Sequence, residues 1–329
     1  LFCNEGDTCI SLTKNSNLEK YQEVFIPFRI SSKHSYYSLS DYLKSIPSLV
    51  ILLIYVILKE RNSIVVFHGF PFQFISPFVS FFNNGFVFIV YHQYKKYPQA
   101  WIGYFSILIE KFFLKLSSSL LIVGVSPWVV KSLFINFKPR NKIKTLTIPI
   151  NIDQNKKEFD NREFKEKNYL IYGARLVKEK GQIRFLEDLY KMNIKKPFIK
   201  KILFCGSGPL SDEINLFAKT KLPNFEIIII ENLDKKHYLN LVKNSSGFLF
   251  PSYREAFPLS LIESIFICKN IFIWEKYLYN YFSECSYEKK HLRNFLLTGN
   301  LKKLNNRNKA IKKLKSKYLR SGNFLKMIY

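Results

Sequence analysis

Two carboxylates eight positions apart, Glu255 and Glu263, bracket the start of an apolar-faced helix in the stretch Gly247 to Trp274, GFLFPSYREAFPLSLIESIFICKNIFIW. A short apolar run, Phe248 to Phe250, reads as a buried strand ending in the polar loop Ser252-Tyr253-Arg254-Glu255. Pro258 suits the first turn of the helix that follows, where its missing N–H costs nothing. Leu259, Ile262, Ile265 and Phe266 then share one packed face. A helix start offers free N–H groups and positive potential, a natural seat for phosphate. A carboxylate on each side of that seat can accept hydrogen bonds from the hydroxyls of a sugar. Two solvated glutamates on an ordinary strand–loop–helix unit would show the same spacing.

A second cluster lies upstream, Gly173-Ala174-Arg175-Leu176-Val177-Lys178-Glu179-Lys180-Gly181. Arg175 and Lys180 leave a strand end and meet the start of a helix, the side of a parallel α/β sheet where ligands bind. Two cations there can clamp a diphosphate, Arg175 by its fork and Lys180 as a point charge. They could equally be surface cations of a basic protein. Gly206-Ser207-Gly208-Pro209 follows the next strand, and glycine there lets backbone approach a ligand closely. It is not a full dinucleotide fingerprint, because Ser211 stands where a third glycine would be. Two histidines, His68 and His92, fall at strand ends in the first half; each also reads as a structural histidine.

The elements that must position these groups alternate. Short strands are expected around Thr8–Leu12 and Val24–Phe28, and a helix capped at Ser40 or Asp41 contains the apolar run Ile46 to Leu58. Buried strands follow at Ile64–Phe67, Phe86–Tyr91, Leu120–Val125 and Lys144–Ile148, with helices over Trp101–Leu116 and from Ser126-Pro127. Residues 153 to 168 are almost wholly polar and read as a link. A second series then runs strand Tyr169–Tyr172, helix Gln182–Met192, strand Lys201–Cys205, helix Ser211–Thr220, strand Phe225–Ile230, helix Lys235–Val242 and the Glu255–Glu263 element, closing on Asn270–Trp274. Strands alternating with helices predict parallel sheets covered on both faces. The expected organisation is an N-terminal domain over 1–152, a link over 153–168 and a C-terminal domain over 169–329.

The length of 329 residues and an apolar content of 47% suffice for two cores. The net charge of +26 points to acidic partners, although a composition rich in Lys, Ile, Asn, Phe and Tyr together would carry such an excess by itself. Cys3, Cys9, Cys205, Cys268 and Cys285 are scattered and show no C-x-x-C spacing, which argues for a reducing compartment and against a zinc site. Cys205 and Cys268 sit in apolar runs as small core residues. No signal peptide is visible, and the run Ile46 to Leu58 falls short of the roughly 20 residues that span a bilayer. It reads as a buried or interfacial helix. From Lys289 to Tyr329 the chain holds 13 Lys or Arg and no acidic residue, and Leu304, Ile311, Leu314 and Tyr318 can line one helical face. That tail is either a contact for a membrane surface or polyanion, or a packed terminal helix with a solvated basic side.

The E-x7-E element within PSYREAFPLSLIES resembles the donor-site motif of retaining glycosyltransferases of family 4, which have the GT-B fold. The resemblance is specific from about Tyr169 to Trp274 and looser from Ile64 to Asp153, where His92, Ser126 and Pro149–Asp153 look like the family's strand-end positions. It implies an α/β protein of GT-B class, with two Rossmann-like parallel-sheet domains facing a cleft. It implies that Arg175 and Lys180 hold the donor pyrophosphate, and that the loop with Gly206 and Gly208 lies beside the nucleotide. Gly173 belongs to the same pattern. Glu255 would contact the donor sugar and Glu263 the ribose, with backbone around Phe257 and Leu259 facing the phosphates. The family commonly places a histidine near the reacting sugar; Val90-Tyr91-His92 fits best and His68-Gly69 is the other candidate.

Two departures stand out. The family's first strand and glycine-rich loop are not evident before Gly6, and the usual G-F-G turn is Ala256-Phe257-Pro258, which removes one backbone donor. No two Asp are separated by one position, so the D-x-D metal motif of the GT-A class is missing and no metal is expected. Charge on a leaving diphosphate would be met by Arg175, Lys180 and helix N–H groups. A retaining glycosidase is disfavoured: eight helical residues span roughly 12 Å, and such an enzyme needs its carboxyls about 5 Å apart.

The expected activity is transfer of a hexose-type sugar from a nucleotide-sugar, with retention, to an acceptor hydroxyl on a lipid-linked or cell-surface glycan. The nucleotide-sugar is a substrate and no further cofactor is expected. The expected location is cytoplasmic, peripheral at the inner face of the cell membrane through the basic tail. The rival is a non-catalytic protein of the same descent that holds a nucleotide or polyanion. A nucleic-acid binder would rest on charge alone, with no recognition motif.

Overall fold

The computed structural model describes residues 8–11, 22–25, 39–59, 61–62, 64–68, 75–84, 87–91, 111–112, 120–137, 143–145, 168–253 and 255–318. The chain divides into two compact units, Leu1–Thr147 with Gly322–Tyr329, and Ile148–Ser321.

In the first unit, strands β1 (Thr8–Ser11) and β2 (Gln22–Phe25) form a parallel pair. Strands β3 (Val65–His68), β4 (Val87–Tyr91), β5 (Leu121–Gly124) and β6 (Ile143–Thr145) form a parallel sheet in that order. Val87 to Val90 are buried throughout, the signature of a strand covered on both sides. Helix α1 (Leu39–Lys59) buries Leu49, Leu52 and Val56, and α2 (Ser76–Phe82) packs against it. Helix α3 (Pro127–Phe137) begins as its sequence suggests, with proline at its first position and the Ser126 hydroxyl accepting from Val129 N (3.3 Å). The helix expected over Trp101–Leu116 lies outside the described residues except at Lys111 and Phe112, as does the polar link up to Lys167.

The second unit is built on β7 (Tyr169–Gly173), all five residues of which are buried. The chain runs through α4 (Gln182–Lys191), β8 (Lys201–Cys205), α5 (Ser211–Lys221), β9 (Glu226–Ile230) and α6 (Lys235–Asn244). It continues through β10 (Gly247–Phe250), α7 (Leu259–Ile267), β11 (Ile271–Ile273), α8 (Lys276–Phe282) and β12 (Tyr287–Glu288). Helices α9 (Leu292–Thr298) and α10 (Arg307–Tyr318) close the unit. The sheet order is β12-β11-β10-β7-β8-β9, all parallel. The chain therefore extends the sheet to one side of β7, returns, and extends it on the other side from β10. The reversal lies between β7 and β10, and in open α/β sheets ligands bind beyond the carboxyl ends of the strands at such a point.

Under the sheet Phe185 packs on Phe204 (6.0 Å between ring centres) and edge-on to Trp274 (5.7 Å). The Trp274 indole N–H donates to Asp188 Oδ2 (2.8 Å), so its polar end is satisfied. Each such ring, fully buried, contributes about 1.5–3 kcal/mol.

One part of the basic tail, α10, packs on the second unit. Ala310 and Tyr318 of α10 are buried, while Lys309, Lys312, Lys313 and Lys317 are exposed. Arg307 Nη2 donates to Ile265 O (3.1 Å) and Cys268 O (2.6 Å), carbonyls that α7 leaves open at its end. Arg307→Ala should cost about 2 kcal/mol, the weight of charge-assisted bonds to partly buried carbonyls. A urea midpoint unchanged in that variant would show that α10 is not anchored there.

Candidate functional site

Three loops meet at the reversal. The loop after β7 starts at Gly173 and runs through Arg175 to a short 3-10 turn, Lys178–Lys180, and Gly181. Gln182, buried at the start of α4, fixes it: Gln182 Nε2 donates to Arg175 O (2.7 Å) and to Tyr172 Oη (3.2 Å), and Tyr172 Oη donates to Lys180 O (3.0 Å). Gly181 has φ +73°, and a Cβ there would lie 2.2 Å from Pro251 O. Only glycine allows this turn and lets the β7 loop touch the chain leaving β10.

The loop after β8 locks onto the first. Leu176 N donates to Ser207 O (2.9 Å), Leu210 N to Leu176 O (3.2 Å) and Ala174 N to Cys205 O (3.2 Å). A Cβ on Gly206 would meet Ala174 O at 2.2 Å, which explains the first glycine of the Gly206-Ser207-Gly208 sequence.

The loop after β10 carries Glu255. Tyr253 N donates to Glu179 O (3.0 Å), and Lys180 Nζ pairs with Glu255 Oε1 at 2.6 Å. Glu255 N donates to the Tyr277 hydroxyl (3.1 Å). Arg184 stacks over the Tyr253 ring (4.5 Å) while its Nη1 holds Glu275 Oε1 (2.6 Å). Glu255 is thus held from the β7 loop and from α8, while α4 holds Tyr253 two residues before it. The Tyr172 hydroxyl lies near enough that Glu255, after burial, helps push its pKa up.

Glu263 sits on α7 and is only 7% exposed. It pairs with Lys235 Nζ (2.7 Å), the first residue of α6, whose N-cap Asp234 accepts from His237 N (2.9 Å). Burial, then the nearby Cys205 and Glu263, push the Tyr238 hydroxyl pKa up.

A hollow of about 320 Å³ opens here, lined by Gly173, Arg175, Cys205, Gly206, Ser207, Asn232, Leu233 and Tyr238. It gathers the loops after β7, β8 and β9. Burial pushes the Cys205 thiol up to about 12, so it stays protonated at neutral pH and is no nucleophile. The Tyr238 ring fills the space beside Gly173, where a Cβ would lie 2.3 Å from its hydroxyl, and that hydroxyl is buried with the Ser264 side chain near it but no hydrogen bond of ordinary geometry. Tyr238→Phe should therefore keep the thermal midpoint or raise stability by up to about 1 kcal/mol. A clear loss of stability would reveal a partner for the hydroxyl.

The structure brings Gly173, Arg175 and Gly206 to the hollow and joins Lys180 to Glu255. Gly208 is not in the lining of the hollow; a Cβ on it would meet Leu176 O at 2.3 Å. Phe257 faces Tyr318 of α10 (5.8 Å), and Leu259 N is used internally on Phe257 O (3.0 Å). The free N–H groups at the start of α7 therefore begin beyond Leu259. His92 and the Pro149–Asp153 stretch lie outside the described residues; of His68, in the other unit, only the backbone at the end of β3 is described. Asn232, Lys235, Tyr238 and Tyr277 were not singled out by sequence. Only Asp234, a helix-capping residue one position before Lys235, gave a local sign.

Residues 153–280 match the family model of group 1 glycosyl transferases. No curated protein sequence matches the chain. Among solved structures, the chain is similar to the N-terminal domain of Candida albicans trehalose-6-phosphate phosphatase, with a TM-score of 0.69 at 12% identity over 91% of this chain and 76% of that one. It is also similar to an alpha,alpha-trehalose-phosphate synthase (UDP-forming) from Burkholderia xenovorans in complex with glucose-6-phosphate (TM-score 0.65, 10% identity, 89% and 79% covered). A third likeness is to the lipopolysaccharide outer core galactosyltransferase WaaB (0.65, 13%, 97% and 85%). At these identities the likenesses establish the fold, two parallel-sheet α/β units of the GT-B class.

Proposed function

We propose that the chain is a retaining glycosyltransferase of family 4 type, moving a sugar from a nucleoside-diphosphate sugar to an acceptor hydroxyl. The family-model match over 153–280 supports sugar transfer. The observation that carries the reading is the 2.6 Å Lys180–Glu255 pair at the reversal between β7 and β10, made from the same β7 loop whose Arg175 lines the hollow. Arg175 and Lys180 hold the diphosphate and stabilise the charge that grows on it as the glycosidic bond breaks, without a required metal. Donor binding takes Lys180 from Glu255, which frees that carboxylate for the hydroxyls of the sugar. Glu263 accepts from the ribose. His92 faces the reacting sugar. The acceptor belongs to a lipid-linked or cell-surface glycan, and the protein works in the cytoplasm at the inner face of the membrane.

One observation favours a second reading, a protein that binds nucleotide without turnover. Pro258 lacks an N–H and the Leu259 N–H is spent on Phe257 O, so two donors near the phosphate seat are gone. Release of nucleoside diphosphate from a panel of sugar nucleotides separates the two. The transferase reading expects release by the wild type and its loss in Glu255→Ala. Nucleotide binding with no release from any donor, with an acceptor mixture present, would leave the second reading standing.

A further inference from the structure

The first unit carries an apolar face that sugar transfer does not explain. On α1, Ile46, Val50, Ile51, Ile54 and Leu58 are all about half exposed or more, reaching 73% at Leu58. Their spacing puts them on one side of the helix. Leu49, Leu52 and Val56 lie on the opposite side and are buried, Leu52 and Val56 to 2%. Pro47 and Ile57 fall within the same outward arc, which between Ile46 and Leu58 holds no polar residue. The neighbouring α2 adds Phe78, Phe81 and Phe82, with Phe81 78% exposed and touching Phe82 edge-on (5.2 Å). Isolated exposed leucines are ordinary, whereas a whole helix face of this kind marks a binding surface.

The charge of the first unit says what this face meets. Residues 1–147 contain sixteen Lys or Arg and seven Asp or Glu, Asp41 and Glu60 among the latter. Lys59 stands exposed at the end of α1 itself, and Arg61 is exposed two positions on. Apolar side chains on a unit of net positive charge match an anionic bilayer, whose acyl boundary takes the former and whose headgroups attract the latter. Among the described residues no helix is long and apolar enough to cross a membrane, which leaves docking in the plane of the surface.

We infer that the outward face of α1, with the aromatic side chains of α2, docks this protein flat on an anionic lipid surface. The first unit is the anchor, and the basic α10 helix is not required. The inference gives a location to the membrane side of the proposed function, and its test reads binding without any sugar transfer, so that either can fail alone.

The test is flotation with phosphatidylcholine vesicles, with and without phosphatidylglycerol. The wild type should float with the anionic vesicles and much less with the neutral ones. Val50→Gln/Ile54→Gln/Leu58→Gln keeps good helix formers at exposed positions and should weaken binding on the order of a hundredfold. Leu58→Gln alone, at the most exposed position, should weaken it several-fold with circular dichroism unchanged. Lys312→Glu/Lys313→Glu on α10 should float like the wild type. A wild type that stays with neither vesicle overturns the inference, as does a stripe variant that floats unchanged. So does flotation lost in the α10 variant with the stripe intact. A wild-type dimer in sedimentation velocity that the stripe variant turns into monomer would assign the face to a second copy, and would overturn it too.

Discussion

Glu255→Ala should lower turnover of a nucleotide-sugar by roughly a hundredfold or more, the scale of losing one placed group at a reacting centre. It should do so with almost no loss of stability. The variant leaves Lys180 without its carboxylate, but that lysine is 24% exposed and water can take over its charge. Lys180→Ala is not the mirror image. It takes the Lys180 ammonium, 2.6 Å away, from a Glu255 carboxylate that is only 9% exposed. Removing one cation from a carboxylate buried to that extent costs about 1–2 kcal/mol. Lys180→Ala should therefore lose both stability and donor affinity, whereas Glu255→Ala loses turnover. Equal melting points for the two variants would contradict the burial difference on which this asymmetry rests. A Glu255→Ala enzyme at wild-type turnover would remove Glu255 from the chemistry.

Gly181→Ala should be among the most damaging single methyl groups that can be added to the second unit. The backbone there has φ +73°, a conformation that costs an L-residue about 1–2 kcal/mol. The new Cβ would also sit 2.2 Å from the Pro251 carbonyl oxygen, a backbone atom at the end of β10 that no side-chain rotation can move. Together these should destabilise the protein by about 3 kcal/mol or more. Relief comes only by parting the β7 loop from the β10 loop, which also parts Lys180 from Glu255. Turnover should then fall even where the variant is folded. Measured at a temperature well below its midpoint, Gly181→Ala with full activity would show that contact of these loops is not needed.

The strands and helices of the second unit were readable because their signals are local. Tyr169–Tyr172 and Lys201–Cys205 are short apolar runs with turn residues on both sides, and each matches the observed strand to within a residue. The glycines and cations after them sit at strand ends, so sequence could place them near one another. The pairing order was not readable, because β10 joins β7 through contacts that no local window contains. The Lys235–Glu263 pair was missed for the same reason: each partner is an ordinary charge on its own helix. Strand β12 has two residues, too few for a pattern, and follows the point where the family pattern ceases to align. In α1 the apolar run is apolar nearly all round, so periodicity gave no answer as to which side faces the core. Packing assigned Leu49, Leu52 and Val56 inward and left the other face open.

The central claim is that Arg175 and Lys180, on the loop after β7, grip a diphosphate. The most direct measurement is thermal melting with a panel of nucleoside diphosphates, on the wild type and on Arg175→Ala/Lys180→Ala. A ligand present at a hundred times its dissociation constant stabilises by about 2.7 kcal/mol, a shift of several degrees for a domain of this size. At least one diphosphate should give that shift in the wild type, and the double variant should lose most of it. No shift with any diphosphate, or the same shift in both proteins, would contradict the claim.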